Sequence, residues 1–366
     1  MPFLDLARQH AELAAELSAA AERVLAGGVY ILGREVEAFE REWADFCGAR
    51  AAAGVANGTD ALALALLASG AVRPGRGDEV ITSPLTAGYT ALAILNAGAV
   101  PAFADIDPHT HTLDPADLER RLTPRTRAVV PVHLYGRMAD VEGVRDFATR
   151  KGLTMIEDAA QAHGASAAGR RAGAHGHAAA FSFYPTKNLG AYGDGGAVTS
   201  DDPALVERVK ELRQGGHPSA MRGELAGRNS RLDELQAALL RVKLTRLDEW
   251  NRRRRALAAR YRHALKGDAL ILPRAASDPD SHVHHLFVVE HPRRDLLRSH
   301  LAARGVETLI HYPAPLHLQP LFRESRPRPL PFSERAAERV LSLPLYPQLR
   351  DDELRAVAEA VNAFGA

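Results

Sequence analysis

The stretch FSFYPTKNLGAYGDGGAV, residues 181–198, begins like a buried β-strand and then breaks into a glycine-rich run. Lys187 stands at the break, after Pro185 and Thr186 and shortly before Gly190. Burial disfavours an ammonium, so a lysine in a dry pocket loses its proton readily and its amine can form a Schiff base. The same pattern is also typical of a lysine in an exposed glycine loop. The segments around it therefore have to decide between the two interpretations.

Two earlier segments carry polar groups where predicted strands end. In MIEDAAQAHGA an apolar strand ends at Asp158, with Gln161 just beyond it, and in VANGTDALALAL an apolar helix follows Gly58 and Thr59 at once. Asp158 could pair with a cation in a buried pocket, cap the next segment or meet a structural arginine. Thr59 could help to bind a phosphate at the helix N-terminus, or Thr59 or Asp60 could simply cap that helix.

Taken together, the three segments predict one cofactor. A phosphate-binding helix N-terminus, a carboxylate for a protonated ring nitrogen and a Schiff-base lysine are what pyridoxal 5′-phosphate requires. In that arrangement Asp158 keeps the proton on the pyridine nitrogen. Lys187, once released from the cofactor, is the natural base for the substrate's Cα proton.

The organisation of the chain predicts an α/β fold. Short apolar segments alternate with helical patterns between about residues 58 and 200, which indicates βαβ units, a largely parallel sheet and helices on both of its faces. The predicted strands there are DEVITS, AVPAFADI, RAVVPVHL, LTMIEDAA and AAAFSFY. The first 50 residues read mostly as helix, and one long helix is predicted over about residues 230–265. Short strands in HHLFVVEH and VETLIHY, with further helices, predict a smaller α+β unit. We therefore expect a large domain at 1–245 and a small C-terminal domain at 246–366.

Composition restricts the classes of protein that this chain can be. Among 366 residues, 46 Lys and Arg nearly balance 45 Asp and Glu, which leaves no general electrostatic footprint for nucleic acid or anionic membrane. Cys47 is the single cysteine, so no intrachain disulfide is possible. The N-terminus has no signal-peptide pattern, and no apolar run approaches the roughly 20 residues of a membrane span. We expect a cytoplasmic protein with no nucleic-acid or membrane partner.

The order of several long motifs also resembles a known family. The segments GVANGTDAL, EDAAQAHGA, FSFYPTKNLGAYGDGGAV and GRNSRLDELQAALL are similar to those of the DegT/DnrJ/StrS sugar aminotransferases. The likeness starts at VYILGREVEAFEREWADFCGA and continues through HYPAPLHLQP to LPLYPQL. It implies a fold-type-I pyridoxal-phosphate transferase, with a mainly parallel seven-stranded sheet flanked by helices and a smaller C-terminal domain.

The resemblance also implies roles for individual residues. Lys187 matches the lysine that holds the cofactor, Asp158 the partner of the ring nitrogen, and Gln161 a residue near the ring hydroxyl. Cofactor phosphate binding is implied for Gly58, Thr59 and Ser182. Asn229, which is otherwise interpreted as a helix cap, matches an asparagine that reaches the phosphate of the neighbouring subunit. A site completed by two chains implies a homodimer.

The segment after the lysine bears on the substrate. KNLGAYGDGG is similar to members that aminate C3 of nucleotide-linked 3-keto hexoses, whereas members acting on 4-keto sugars often carry a Thr-Thr pair and GEGG there. The chain departs from the family at VITSPLTAGYTALAI, where Ala87 occupies the position of an aromatic residue that stacks on the cofactor. Either Tyr89 stacks from a shifted loop, or another group such as His163 covers that face.

Other residues are weaker candidates for contact with the substrate. His282, His284 and His285 have metal-like spacing but no carboxylate or cysteine motif to complete a site, so a structural or substrate-edge role is favoured and no metal is expected. The arginines of GRNSR could bind a diphosphate through two parallel hydrogen bonds. They could equally be exposed arginines at the end of a helix. The substrate candidates are Tyr89, His163, Tyr192, Arg228, His311, Tyr312 and His317.

The sequence therefore predicts a homodimeric pyridoxal-phosphate aminotransferase with shared active sites. It would move an amino group from glutamate or glutamine to a dTDP- or UDP-linked 3-keto sugar. The alternatives are amination of a 4-keto sugar nucleotide, amination of a cyclitol (inosose), or a non-catalytic regulator that retains the fold.

Overall fold

The computed structural model describes residues 1–216, 226–325 and 329–364. Thirteen α-helices are present within these ranges: α1 Leu6–Ala11, α2 Ala14–Gly27, α3 Arg34–Cys47, α4 Gly58–Ala68, α5 Gly88–Asn96, α6 Pro115–Arg121, α7 Val141–Lys151, α8 Pro203–Leu212, α9 Glu234–Leu244, α10 Leu247–Ala264, α11 Arg294–Ala303, α12 Pro331–Arg339 and α13 Asp351–Asn362. The strands are β1 Ala51–Val55, β2 Glu79–Thr82, β3 Val100–Phe103, β4 Thr126–Val130, β5 Thr154–Asp158, β6 Ser166–Ala167, β7 Arg170–Arg171, β8 Ala178–Ser182, β9 Gly196–Ser200, β10 Phe287–Glu290 and β11 Val340–Leu343. None of the described helices combines the length and apolar character needed to cross a bilayer.

A seven-stranded sheet forms the centre of the molecule, in the order β1-β9-β8-β5-β4-β2-β3. The five strands from β8 to β3 are parallel, and β9 pairs antiparallel with both β8 and β1. The predicted, largely parallel α/β sheet is therefore confirmed. Because the carboxyl ends of β5 and β8 lie at one edge, the loops after Asp158 and Ser182 emerge side by side.

Both faces of the sheet are covered by apolar helices. On one face Trp43 and Phe39 of α3 pack against Phe181 and Phe183. On the other face α4 is buried almost all round, with an alanine- and leucine-rich surface that faces β8. A helix that is apolar on every side is typical of the interior. Its burial fixes where the N-terminus of α4 meets the sheet.

The C-terminal part of the chain is a small α+β unit. Strands β10 and β11 pair antiparallel, and α10, α11 and α13 pack around them through a separate apolar core. The predicted long helix over 230–265 is instead two helices, α9 and α10, with a break at Thr245 and Arg246. The strand predicted in VETLIHY is present only as one bridge between Leu309 and Ser342. The domain boundary predicted after residue 245 coincides with this break, but the boundary itself stays a prediction.

Glu157, next to Asp158, is fully buried beneath the candidate site. Its carboxylate accepts hydrogen bonds from Nε2 of His133 at 3.0 Å and from the amides of Gly173, His175 and Gly176 at 2.8–3.0 Å. Burial alone would raise the pKa of Glu157, but the bond and charge of His133 and these amides outweigh it and lower the pKa to about 2. Glu157 therefore holds the loop over residues 173–176 against the end of β5.

Glu157→Gln is expected to lower the free energy of unfolding at pH 7 by about 3 kcal/mol, since the folded state stabilises the carboxylate. The contribution is complete above the unfolded pKa near 4.5 and is lost as the pH falls toward 2. Urea unfolding of both proteins at several pH values measures it, and Glu207→Gln on the exposed side of α8 is the matched control. Equal stability of wild type and Glu157→Gln at pH 7 would contradict the assignment.

Candidate active site

A cavity of about 740 Å³ opens at the carboxyl edge of β5 and β8. The N-terminus of α4, the loop before α5, the segment from Ser182 to Lys187 and residues 285–312 form its walls. Of the residues that the sequence predicted for a site, the structure brings together Gly58, Thr59, Tyr89, Asp158, Gln161, Ser182, Lys187, His311 and Tyr312 around this cavity.

The N-terminus of α4 forms one end of the cavity. Asn57 is its N-cap and accepts the amide of Asp60 at 2.8 Å, so the cap is neither of the two residues that the sequence suggested. The amides of Gly58 and Thr59 donate to no acceptor in the described part of the chain. A Cβ at position 58 would lie 2.5 Å from the Cβ of Ser182, so glycine is required for this close approach. Free amides at a helix N-terminus can bind an anion.

Asp158 lies buried deeper in the cavity. Its Oδ2 accepts a hydrogen bond from the hydroxyl of Thr90 at 2.8 Å, and Thr90 in turn contacts Thr86 at 3.1 Å. Its Oδ1 accepts the amide of Ala160 at 3.2 Å. Sequence reasoning missed Thr90, although it directly follows the candidate Tyr89 in the first turn of α5. These bonds fix the orientation of the carboxylate.

Lys187 lines the same cavity from a tightly folded loop. Its amide donates to the carbonyl of Tyr184 at 2.8 Å, and the amide of Ala191 donates to Phe183 at 2.7 Å. Gly190 packs directly against Pro185, where a Cβ would lie 2.2 Å from the Pro185 carbonyl oxygen. Burial lowers the pKa of the Lys187 ammonium to about 8, although the charge of Asp158 acts to raise it. The amine is therefore available in neutral form near physiological pH.

Gln161 connects the inner wall of the cavity. Its side-chain oxygen accepts the amide of Tyr135 at 2.8 Å, and its Nε2 donates to the hydroxyl of Tyr312 at 3.2 Å. Burial raises the pKa of Tyr312 to about 12, partly offset by this bond, so its hydroxyl stays protonated and can donate. His311 lines the wall beside it; burial and then the charge of Lys187 lower its pKa to about 4. Both side chains are therefore neutral at pH 7.

Of the two residues considered for covering a flat ring, the structure places only Tyr89 at the cavity. Tyr89 is 67% exposed. His163 lies behind the sheet, packed against Trp43 and Phe183, and its Nε2 donates to the carbonyl of Ser182 at 2.9 Å. The alternation of apolar and polar residues does not show to which side a side chain points in a loop that follows a strand. The sequence therefore could not decide whether His163 faces the cavity.

Four further candidates lie outside the cavity lining. Tyr192 contacts Nδ1 of His10 at 2.9 Å, and His317 contacts Glu334 at 3.0 Å. Arg228 donates to the carboxylate of Asp60 at 3.2 Å, at the rim of the cavity. Asn229 is exposed, and its backbone forms an isolated antiparallel β-bridge with Gln214. None of the four touches the cavity within this single chain.

The histidines of SHVHHLFVV separate into two roles. His285 lines the cavity and contacts the amide oxygen of Asn188 at 3.2 Å, whereas His282 and His284 stack on each other 3.8 Å apart. In the described ranges, no group of three or more His, Cys, Asp or Glu residues is arranged to hold a metal ion.

The residues present fit pyridoxal 5′-phosphate. The free amides of Gly58 and Thr59 suit its phosphate, and the missing Cβ of Gly58 lets Ser182 lie directly beside them. Asp158 offers a carboxylate deep in the same cavity, and Lys187 offers an amine with a lowered pKa. Thus one cavity carries all three chemical groups that the cofactor requires.

Comparison with known proteins gives consistent matches over nearly the full chain. A family model described as the DegT/DnrJ/EryC1/StrS aminotransferase family matches residues 11–362. The chain is 50% identical to a dTDP-3-amino-3,4,6-trideoxy-alpha-D-glucose transaminase of Streptomyces venezuelae, covering 100% of this chain and 96% of the relative. It is 49% identical to the erythromycin biosynthesis sensory transduction protein EryC1 of Saccharopolyspora erythraea, covering 95% of each. The crystal structure of S. venezuelae DesV in complex with a ketimine intermediate matches with a TM-score of 0.95 and 49% identity, covering 100% of this chain and 98% of that one.

Proposed function

Because this chain belongs to the DegT/DnrJ/EryC1/StrS aminotransferase family, we propose that it transfers an amino group to C3 of a nucleotide-linked keto-hexose. Its cofactor is pyridoxal 5′-phosphate, in keeping with the family. The observation that carries the proposal is the convergence of the α4 N-terminus, Asp158 and Lys187 on one cavity. The 50% identical transaminase named for a dTDP-3-amino sugar supports the C3 position.

The cofactor, when bound, supplies an electron sink that stabilises negative charge on the carbon next to the transferred nitrogen. The chain's own groups bind and orient it. The amides of Gly58 and Thr59 would hold its phosphate at the positive end of α4, with Ser182 alongside. Asp158, held by Thr90, would keep the proton on the ring nitrogen. Gln161 and Tyr312 form the wall at which the ring hydroxyl would lie.

Lys187 would do the proton transfer. An amine whose pKa is about 8 is protonated and deprotonated readily near pH 7–8, which suits a group that both accepts and returns a proton. Its loop is held in place from outside the cavity, because Nζ of the buried Lys243 donates to the carbonyl of Gly190. The amine is thus free to move at its tip while its backbone stays fixed.

The amino donor and the assembly are parts of the same proposal. Glutamate or glutamine would supply the nitrogen, and the sugar nucleotide would enter by the exposed side chains of Tyr89 and Tyr184 at the cavity mouth. We propose a homodimer in which Asn229 reaches the partner's site, since it is exposed and away from its own cavity. The exposed apolar residues Leu25, Val29, Tyr30 and Ile31 provide a surface that a partner subunit would cover.

A panel of sugar nucleotides tests the position of amination. We expect glutamate-dependent amination of a dTDP- or UDP-linked 3-keto hexose, with a mass change of the product that mass spectrometry detects, and much slower turnover of the 4-keto isomers. An inosose in the same panel examines the cyclitol alternative. Preferred turnover of a 4-keto sugar or of the cyclitol would overturn the C3 assignment while leaving the aminotransferase assignment intact.

A second candidate function is regulation without catalysis, because one relative carries the name of a sensory transduction protein. The intact set of Gly58, Thr59, Asp158 and Lys187 favours catalysis. The half-reaction with glutamate distinguishes the two functions. A catalyst converts bound pyridoxal phosphate to the pyridoxamine form, with loss of visible absorbance, and a pure regulator leaves the spectrum unchanged.

A further inference from the structure

A second cavity, of about 260 Å³, lies between the two parts of the chain. The loop of residues 108–111 after β3, the turn carrying Tyr135 and Arg137 after β4, and residues 271–274 surround it, and side chains of β10 complete it. The cavity contains none of the residues that we assign to cofactor binding. Its occupant would therefore be a different molecule.

Arg137 and Arg274 line this second cavity, and a third arginine, Arg262, lies beside it. Arg137 is 8% exposed and donates one N–H to the carbonyl of Arg274, and its other N–H groups have no acceptor among the residues that the structure describes. Arg262 donates to the carbonyl of Pro273 at 3.1 Å. Within the same ranges, none of the three arginines forms an ion pair with a carboxylate, whereas other buried or half-buried arginines, such as Arg213 and Arg241, do. Burial and then the charges of Arg262 and Arg274 lower the pKa of Arg137 to about 10.

The carboxylates near the second cavity have other partners. Glu290 accepts Nε2 of His111 at 3.0 Å, and Oδ1 of Asp107 accepts the amides of His109 and Thr110 at 2.7 and 2.9 Å. A buried guanidinium such as that of Arg137, close to two other cations, is unfavourable unless an anion compensates it. A planar guanidinium with free N–H groups binds an oxyanion through two parallel hydrogen bonds.

We propose that the second cavity binds a small oxyanion, a phosphorylated or dicarboxylic metabolite, through Arg137 with Arg274 at the mouth. The volume accommodates a compact anion and excludes a sugar nucleotide. The ligand would lie against Tyr135 and against Leu286, and Leu286 lines both cavities. The amide of Tyr135 donates to Gln161, and its hydroxyl donates to the carbonyl of His311. A bound anion that moved Tyr135 would therefore shift two residues of the cofactor site.

Calorimetric titration of the cofactor-loaded protein tests the proposal, because the cofactor then fills the phosphate site at α4. Inorganic phosphate and succinate form the two arms, and we expect one of them to bind saturably at one site per chain. Arg137→Gln is expected to weaken that binding by about tenfold to a hundredfold, since it removes charge-assisted hydrogen bonds. The arm that binds identifies the ligand as phosphorylated or dicarboxylic.

Two further variants make the result decisive. Arg274→Gln changes an exposed side chain, is not expected to affect folding, and should also weaken binding; it replaces Arg137→Gln if that protein does not fold. Arg252→Gln, on the exposed side of α10, is the matched control and should bind like wild type. Absence of saturable binding in both arms, or wild-type affinity in the cavity variants, would overturn the proposal. Neither result depends on turnover, so the proposed aminotransferase function is unaffected.

Discussion

Lys187→Ala is expected to fold normally and to lose transamination by at least about a thousandfold. The variant removes the amine that would hold the cofactor and would move the proton, and proton transfer alone contributes roughly 10²–10⁴-fold. Folding should be preserved because the tip of the side chain faces the cavity, while the loop is held by backbone bonds and by Lys243. Turnover with glutamate and a 3-keto sugar nucleotide measures the loss, and circular dichroism measures the fold.

The matched control for this change is Lys151→Ala. Lys151 is a surface lysine at the C-terminal end of α7, where it pairs with Glu119 of α6. This variant should retain full activity. Borohydride reduction of the wild-type protein, followed by peptide mass spectrometry, is expected to place the cofactor on Lys187. Activity of Lys187→Ala within tenfold of wild type, or a cofactor fixed to another lysine, would refute the assignment.

Asp158→Asn is expected to lower turnover by about 10²–10³-fold while the cofactor still binds. The asparagine keeps the shape of the side chain and can still accept from the hydroxyl of Thr90. It lacks the negative charge that would keep a proton on the ring nitrogen, and the loss of one preorganised electrostatic group costs about this factor. The phosphate end of the site at α4 is unchanged. Turnover at saturating cofactor, with the cofactor affinity measured separately, distinguishes loss of chemistry from loss of binding.

Asp146→Asn, an exposed carboxylate of α7, is the control for the removal of one negative charge. It should behave like wild type in both measurements. If Asp158→Asn keeps its turnover, or loses it only because the cofactor no longer binds, the carboxylate does not act on the ring nitrogen.

The sequence predicted the large α/β part well because its signals are local. Apolar runs and helical patterns between residues 58 and 200 reflect burial of each element, and the end of α2 at Gly27 follows from a left-handed glycine at Gly28. The division of the 230–265 segment was missed because Thr245 and Arg246 are neither glycine nor proline. The antiparallel direction of β9 depends on its neighbours β1 and β8, which local patterns do not reveal.

The candidate site was predictable where residues follow strand ends. Asp158, Ser182 and Lys187 lie at one edge because their strands are parallel neighbours. Residues that follow the sheet in sequence were harder to place. His317 packs away from the cavity while Tyr312, five positions earlier, lines it, because the loop turns between them. Only the structure shows that His285 lines the cavity whereas His282 and His284 do not.

The cavity walls come from residues 57–194 and from residues 285–312, segments that are far apart in the chain. A molecule that touches both walls acts as a thermodynamic cross-link, because it binds only when the two segments are assembled. At a thousandfold excess over its dissociation constant, such a ligand adds about 4 kcal/mol to the stability of the folded state. The cofactor would then also stabilise the assembly of the two segments. Its loss would weaken the packing of the C-terminal segment on the rest of the chain, and the stability of the folded enzyme would depend on the cofactor concentration.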